Sequence, residues 1–332
     1  MPNALKTIKD LLSRLSEDER LELQAYLKRD QDISLEELLR VKANAHGLAC
    51  PECGSTHVVR NGKRNGMQRY FCKRCKKSFN ELHDTFLQRS QKDLSVWKTY
   101  IQCMVDGKTI RDSAIICDIS PSTAFYWRHK ILDIVYKYLQ GVKIRGVAEM
   151  DDMFFPLSYK GSTPEGRDAK KRGTPDKKRG VSDDKICVTS AIGNLGKLYA
   201  TAVKRGRVTY ADLNKIMKKR LEYCRVLVTD KDSAYRKFAR TAGLKHVQIK
   251  GDERVKGIYS IQRINAAHSR IRKFMRKFCG VASKYLNNYL SWEAIIVERR
   301  SSMSCIIRNL IRCRLDESWH DVAAKPAFPV VG

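Results

Sequence analysis

The chain has 332 residues, 42% of them apolar, with 65 Lys plus Arg against 36 Asp plus Glu and a formal net charge of +29. That length carries two or three domains, and the apolar fraction excludes a wholly disordered chain. So large a cationic excess repels itself when compact and points to a polyanion, nucleic acid being the usual one. A membrane surface is the rival partner. It wants a basic amphipathic helix, a lipid signal or an apolar run of about 18 residues, and the sequence offers none of them. Met1-Pro2-Asn3 opens no signal peptide, so a cytoplasmic protein is expected, nucleoid-associated in a prokaryote or nuclear in a eukaryote.

Residues 1–45 read as a helical module. Leu5, Ile8, Leu12 and Leu15 share a stripe, and Ser16 with Glu19 and Ser34 with Glu37 have the spacing of capping boxes. Residues 46–82 read as a zinc ribbon. Cys50-Pro51-Glu52-Cys53 and Cys72-Lys73-Arg74-Cys75 form two knuckles whose spacing suits one structural, tetrahedral Zn²⁺. Between them, strands at 56–60 and 68–71 are expected around an Asn65-Gly66 turn. His46 and His57 are possible substitute ligands, but four thiolates already close the shell. Arg60, Lys63, Arg64, Arg69, Lys73, Arg74, Lys76 and Lys77 crowd the ligands and are candidates to hold DNA. The seven remaining cysteines read as buried thiols of a reducing compartment.

Residues 90–140 have the pattern of a helix-turn-helix. Leu94–Asp106 forms the first helix, Ile110 to Ile116 lie on the second, and Asp118-Ile119-Ser120 turns into a third, Ser122–Ile134, with Pro121 in its first turn. As a recognition helix the third would present Ser122, Thr123, Tyr126, Arg128, His129 and Lys130 to DNA. The competing reading is a helical hairpin in a core, packed through Trp97 and Trp127.

An α/β pattern occupies 144–300. Strands are expected at 145–151, 185–192, 198–203, 225–230 and 246–250. Helices are expected at 211–221, 235–242, 260–278 and 284–300. Residues 160–180, with eight Lys or Arg and three acids, read as a mobile basic loop. This order of elements is that of an RNase H-like fold. Asp151 and Asp230 end the first and fourth strands, and paired carboxylates at strand ends can hold Mg²⁺ or Mn²⁺, two ions being expected, for phosphoryl transfer. Either acid alone could equally be a turn or cap residue.

Several blocks carry a family resemblance: the ribbon, the helix-turn-helix, Glu149-Met150-Asp151-Asp152, Ser158-Tyr159-Lys160-Gly161, Thr229-Asp230, Asn265-Ala266-Ala267-His268-Ser269-Arg270, and Gly280 to Leu290. Together they resemble the ISXO-type insertion-sequence transposases, DDE-type enzymes with an N-terminal zinc ribbon. The resemblance implies that Asp151 and Asp230 are metal ligands and that a third, usually Glu, stands on the helix after the last strand. Residues 255–291 contain no acid. His268 therefore takes the third place, with Asn265 as the alternate, and imidazole there would favour Mn²⁺ over Mg²⁺. Arg270, Arg272, Lys273, Arg276 and Lys277 would line DNA, with Arg272 one turn beyond His268 and suited to a phosphate. Residues 301–332 read as a basic tail.

Two readings follow. One is a transposase that binds insertion-sequence ends, cuts and joins double-stranded DNA, and works as a homodimer or larger assembly. The other is a DNA-binding regulator built on a catalytically weakened copy. A non-integrating nuclease is a third option.

Overall fold

The computed structural model describes residues 49–64, 67–83, 85–88, 90–161, 184–250, 253 and 255–298, together with Ser16, Glu19 and Leu310. The Ser34–Glu37 cap, the Asn65-Gly66 turn, almost all of the stretch 160–180 and most of the helical module and the tail lie outside those residues. The first capping box is present: Ser16 Oγ accepts the Glu19 amide, and Glu19 Oε2 accepts the Ser16 amide at 2.8 Å. The chain packs into two compact units, one running to Leu94 and the other beginning at Ser95.

In the first unit β1 (Val58–Arg64), β2 (Met67–Cys72) and β3 (Ser78–Asn80) form an antiparallel sheet in that order. β1 runs past the expected Arg60 because the register shifts between Arg60 and Lys63. Gly62, at φ +66°, takes up the irregularity, and its carbonyl accepts Gln68 Nε2 at 2.9 Å.

The second unit opens with α1 (Leu94–Val105), α2 (Ile110–Ile116) and α3 (Pro121–Gln140). Thr109 and Asp112 form a capping box on α2, and Ser120 caps α3 ahead of Pro121. Trp97 stacks on Trp127 with centroids 3.6 Å apart. α3 continues beyond Ile134 because Val135 and Leu139 are still buried, and Gly141 ends it. These helices belong to the same compact unit as the sheet that follows.

That sheet has five strands in the order β6-β5-β4-β7-β8. They are β4 (Arg145–Pro156), β5 (Lys185–Gly193), β6 (Leu198–Arg205), β7 (Tyr223–Thr229) and β8 (Lys245–Gln248). β4, β5 and β6 pair antiparallel, while β7 and β8 run parallel to β4. Side chains alternate across a strand. Ala148 and Met150 therefore pack with Leu213, Met217 and Phe238 of α4 (Tyr210–Met217) and α5 (Ser233–Thr241) on one face. α6 (Gln262–Arg276) and α7 (Leu286–Glu298) cover the other.

Two departures from the sequence pattern bear on the site. Asp151 does not end β4. The β7 pairing stops at Glu149–Val228, but β5 stays paired with β4 as far as Pro156. A short hairpin, β9 (Val255–Lys256) with β10 (Tyr259–Ser260), also stands between β8 and α6, where only chain leading to a helix was expected.

Candidate functional site

The four ribbon thiols converge. Cys50 and Cys75 Sγ lie 3.5 Å apart, Cys53 and Cys72 Sγ 3.6 Å, and all four fall within 4.8 Å of one another. Sulfurs about 2.3 Å from a tetrahedral ion would stand ~3.8 Å apart, so this cluster could hold a metal ion. The knuckle turn sets up one ligand: the Cys75 amide points at Cys72 Sγ and draws that thiol down to about 6. Cys75 itself is drawn down by the Lys77 amide but pushed up more strongly by burial and its thiol neighbours, to about 12. A cation among the four sulfurs would favour their thiolate forms. Arg60, Lys63, Arg64, Lys73 and Arg74 are exposed around it and Arg69 is half-buried. His57 is exposed and outside the cluster.

The second site lies on the α6 face of the central sheet. The parallel register that pairs Glu149 with Val228 carries Asp151 level with Asp230, which follows the last residue of β7. Burial first, then the charges of Asp230 and Asp152, push the Asp151 carboxyl up to about 6 against the lowering effect of the Asp152 amide. Asp151 Oδ1 accepts the Asp152 amide at 2.8 Å, and Asp230 Oδ1 accepts the Asp232 amide at 3.2 Å.

His268 comes down from α6 onto this pair. It is 3% exposed, with Nδ1 3.5 Å from Asp151 Oδ2 and Nε2 2.6 Å from Ser190 Oγ. Ser190 has one proton and gives it to the Asp151 carbonyl at 3.1 Å. The Ser190 hydroxyl thus anchors the ring at Nε2, and Nδ1 faces the Asp151 carboxylate. Burial, helped by Arg272, depresses the imidazole to about 4, so the ring is neutral at ordinary pH.

Opposite faces of β4 divide the labour. Asp152 points away from His268, and its Oδ1 accepts Thr189 Oγ1 and the Tyr235 hydroxyl, each at 2.7 Å. Burial raises this carboxyl too. Glu149 is on the Asp151 face and accepts the Ile264 amide in the first turn of α6 at 3.1 Å.

Of the predicted residues, His268 Nδ1 stands against Asp151, and the charges of Asp230 and Arg272 act on Asp151. The ligand atoms of Asp151, Asp230 and His268 do not all lie within 4.8 Å of one another, as the thiols do. Asn265 is exposed on α6, and Arg270 exerts its charge on Glu293 of α7 instead. Lys273, Arg276 and Lys277 are exposed on the same helix or just past it.

The recognition-helix candidates need correction. Arg128 is 2% exposed and Lys130 4%, because their stretch of α3 is packed on both sides. The Arg128 guanidinium donates to the Lys108 carbonyl at 2.7 Å and to Ser113 Oγ at 3.2 Å. His129 is buried against Phe125 and Tyr285. Of the set, Ser122 and Tyr126 are exposed. The cysteine reading is also corrected at one position: Cys103, Cys117, Cys187 and Cys224 are buried, but Cys279 is exposed, in a left-handed turn at φ +50°. Cys305 and Cys313 lie outside the described residues.

Ser190, Glu149 and Lys160 escaped the sequence reading as site residues. Glu149 and Lys160 stand in blocks that carry the family resemblance, and Glu149 also has a two-residue spacing from Asp151 on a strand.

Among the described residues no helix is long and apolar enough to cross a membrane. No family model matches the chain. An uncharacterized protein in transposable element ISH50 of Halobacterium salinarum is 24% identical over 255 residues, covering 74% of this chain and 83% of that protein. Among solved structures, a chain of the simian T-cell lymphotropic virus intasome in complex with PP2A regulatory subunit B56 gamma is 10% identical. It aligns over 58% of this chain and 67% of its own, with a TM-score of 0.30. The Mos1 transposase paired-end complex with left transposon end is 11% identical over 73% of this chain and 82% of its own, with a TM-score of 0.27.

Proposed function

We propose that the chain is a transposase of the ISXO-type, DDE-like class with an RNase H-like core. It would cut DNA at insertion-sequence ends and join the freed 3′-hydroxyl to target DNA, acting as a homodimer or larger assembly. The observation that carries this reading is the meeting of Asp151, Asp230 and His268 on one face of the central sheet. The +29 charge and the similarity to a transposable-element protein support it.

In this reading Cys50, Cys53, Cys72 and Cys75 hold a structural Zn²⁺, and the ribbon cations grip DNA. Asp151 Oδ2, Asp230 and His268 Nδ1 hold Mg²⁺ or Mn²⁺, with the borderline imidazole nitrogen favouring Mn²⁺. Bound ions would supply Lewis-acid activation of a water or hydroxyl and stabilise the leaving oxygen. The chain's own groups do the rest: Ser190 anchors the imidazole through Nε2, and exposed Arg272 offers a fork to a DNA phosphate beside the acids.

The test is cleavage and strand transfer on the DNA flanking the reading frame, with Mn²⁺ or Mg²⁺. Asp151→Asn and Asp230→Asn should abolish both products; undiminished products would refute the site. A second reading, a DNA-binding regulator, is favoured by the imidazole standing where a carboxylate is usual. It requires tight, salt-sensitive DNA binding with no product under any divalent ion.

A further inference from the structure

Two sequence blocks find no role in the chemistry above: Ser158 to Gly161, and the stretch that begins at Gly280. In the structure they meet. The Ser158 amide donates to Ser283 Oγ at 2.8 Å, and the Ser283 amide returns a bond to the Ser158 carbonyl, also at 2.8 Å. Lys160 then reaches across the turn that follows α6. Its Nζ donates to the carbonyls of Phe278 at 3.1 Å, Cys279 at 3.4 Å and Gly280 at 2.8 Å. That turn is backbone-strained, with Cys279 at φ +50° and Gly280 at +95°, and an ammonium matched to three converging carbonyls holds it.

The other end of α6 is gripped from the same strand. Ile261 stands at the N-cap and has no side-chain acceptor to offer the first turn. Glu149, 4% exposed, supplies one from β4 by accepting the Ile264 amide, while Arg263 Nε lies 3.6 Å from its other oxygen. A carboxylate at the N-terminus and an ammonium at the C-terminus both complement the helix dipole.

We propose that Glu149 and Lys160 are positioning residues: a two-ended clamp through which the segment carrying Asp151 sets the axial position of the helix carrying His268. Asp151 lies between the two jaws in sequence, two residues after one and nine before the other. The clamp therefore couples the two side chains that stand 3.5 Å apart more directly than the sheet does. A shift of α6 by one residue would move His268 along its axis by ~1.5 Å, enough to break both the Ser190 bond and the Asp151 approach. The metal-binding consequence rests on the ligand reading given above; the clamp itself does not.

The experiment uses the full chain with Glu149→Gln, which keeps an acceptor but removes the charge, and Lys160→Met, an exposed change that leaves the core intact. One readout is the proton shared by His268 Nε2 and Ser190 Oγ, followed by nuclear magnetic resonance, which their 2.6 Å bond should make slow to exchange. The other is binding of MnCl₂ alone, followed by electron paramagnetic resonance. Both variants should keep the wild-type melting temperature within a few degrees. Both should exchange that proton at least about tenfold faster and bind Mn²⁺ about tenfold more weakly. Lys160→Arg should restore both readouts. Wild-type proton exchange in both variants would overturn the clamp, as would failure of the arginine to rescue. If wild-type protein binds no Mn²⁺ but the proton behaves as expected, the clamp stands and the ligand reading falls.

Discussion

His268 brings Nδ1 to 3.5 Å from Asp151 Oδ2 while Nε2 stands 2.6 Å from Ser190 Oγ. The imidazole and the carboxylate thus face each other across a gap that a proton or a cation can occupy. Burial and the neighbouring acids already raise Asp151 to about 6, and burial holds His268 down to about 4. Below about pH 6 Asp151 therefore takes up a proton before the imidazole does. Above it the gap suits a divalent ion.

Mn²⁺ binding should thus compete with one proton. Affinity should be flat above pH 7 and fall by about tenfold per pH unit below 6. Titration of free Mn²⁺ by electron paramagnetic resonance between pH 5 and 8 checks this, and a flat profile would exclude Asp151 as a ligand.

The same raised carboxyl makes Asp151 a cost to the fold. Between an unfolded value of ~3.9 and the folded value of about 6, the folded state holds more protons than the unfolded one. Stability from this group falls as pH rises through that window and stays lower above it. The full shift would be worth ~3 kcal/mol, but a side chain one-third exposed is screened, and about 1 kcal/mol is the sensible expectation. Asp151→Asn should raise the melting temperature of the metal-free protein at pH 7.5 by a few degrees and lose that gain near pH 4. A destabilised Asn variant at pH 7.5 would show that the carboxylate is paired rather than strained.

His268 acts in the opposite sense. Its depressed value means that its stabilising neutral form is fully present above ~6.5, and that stability is lost as pH falls from there toward about 4. His268→Gln should remove that rise and leave the opposing fall set by Asp151 across the shared window. A slope unchanged from wild type would mean that the ring is not buried neutral.

What the sequence disclosed follows a physical line. The cysteine knuckles were legible because their geometry is local, three residues at a time. The end of β7 just before Asp230 is legible because the apolar run stops there. Asp151 was found but misplaced within its strand, since whether Asp152 to Pro156 stay extended depends on β5 pairing opposite, not on their own pattern. Ser190, Glu149 and Lys160 act across pairings of distant segments, and no local periodicity encodes those. Arg128 was misread because a helix with polar residues all round does not announce which face its neighbours will cover. His268 came from the family resemblance, not from spacing.

The ribbon should depend on its ion. We expect one Zn²⁺ per chain by elemental analysis and none in Cys53→Ser with Cys72→Ser. A module this small gains ~10–16 kcal/mol from such binding, so chelation should abolish the β1–β3 sheet while the unit beginning at Ser95 keeps its own melting transition. Circular dichroism during chelation reads both. A ribbon that survives metal removal would show that its three strands fold on side-chain packing alone.

Arg128 and Tyr126 separate packing from recognition on one helix. The buried guanidinium ties α3 to the turn before α2 through Lys108 and to α2 through Ser113. Removing it leaves a carbonyl and a hydroxyl without their donor and opens space beside Phe278, over whose ring it lies at 5.5 Å. Arg128→Ala should therefore cost about 3 kcal/mol of stability. Any loss of DNA binding should then track the unfolded fraction and vanish at low temperature. Tyr126 is 49% exposed near the start of α3, so Tyr126→Ala should leave melting within about 0.5 kcal/mol. If α3 reads DNA through its first turns, that change should weaken binding to the terminal sequence while sparing random duplex. Equal weakening on both DNAs would assign Tyr126 to the phosphate backbone, and no change on either would remove α3 from the DNA interface.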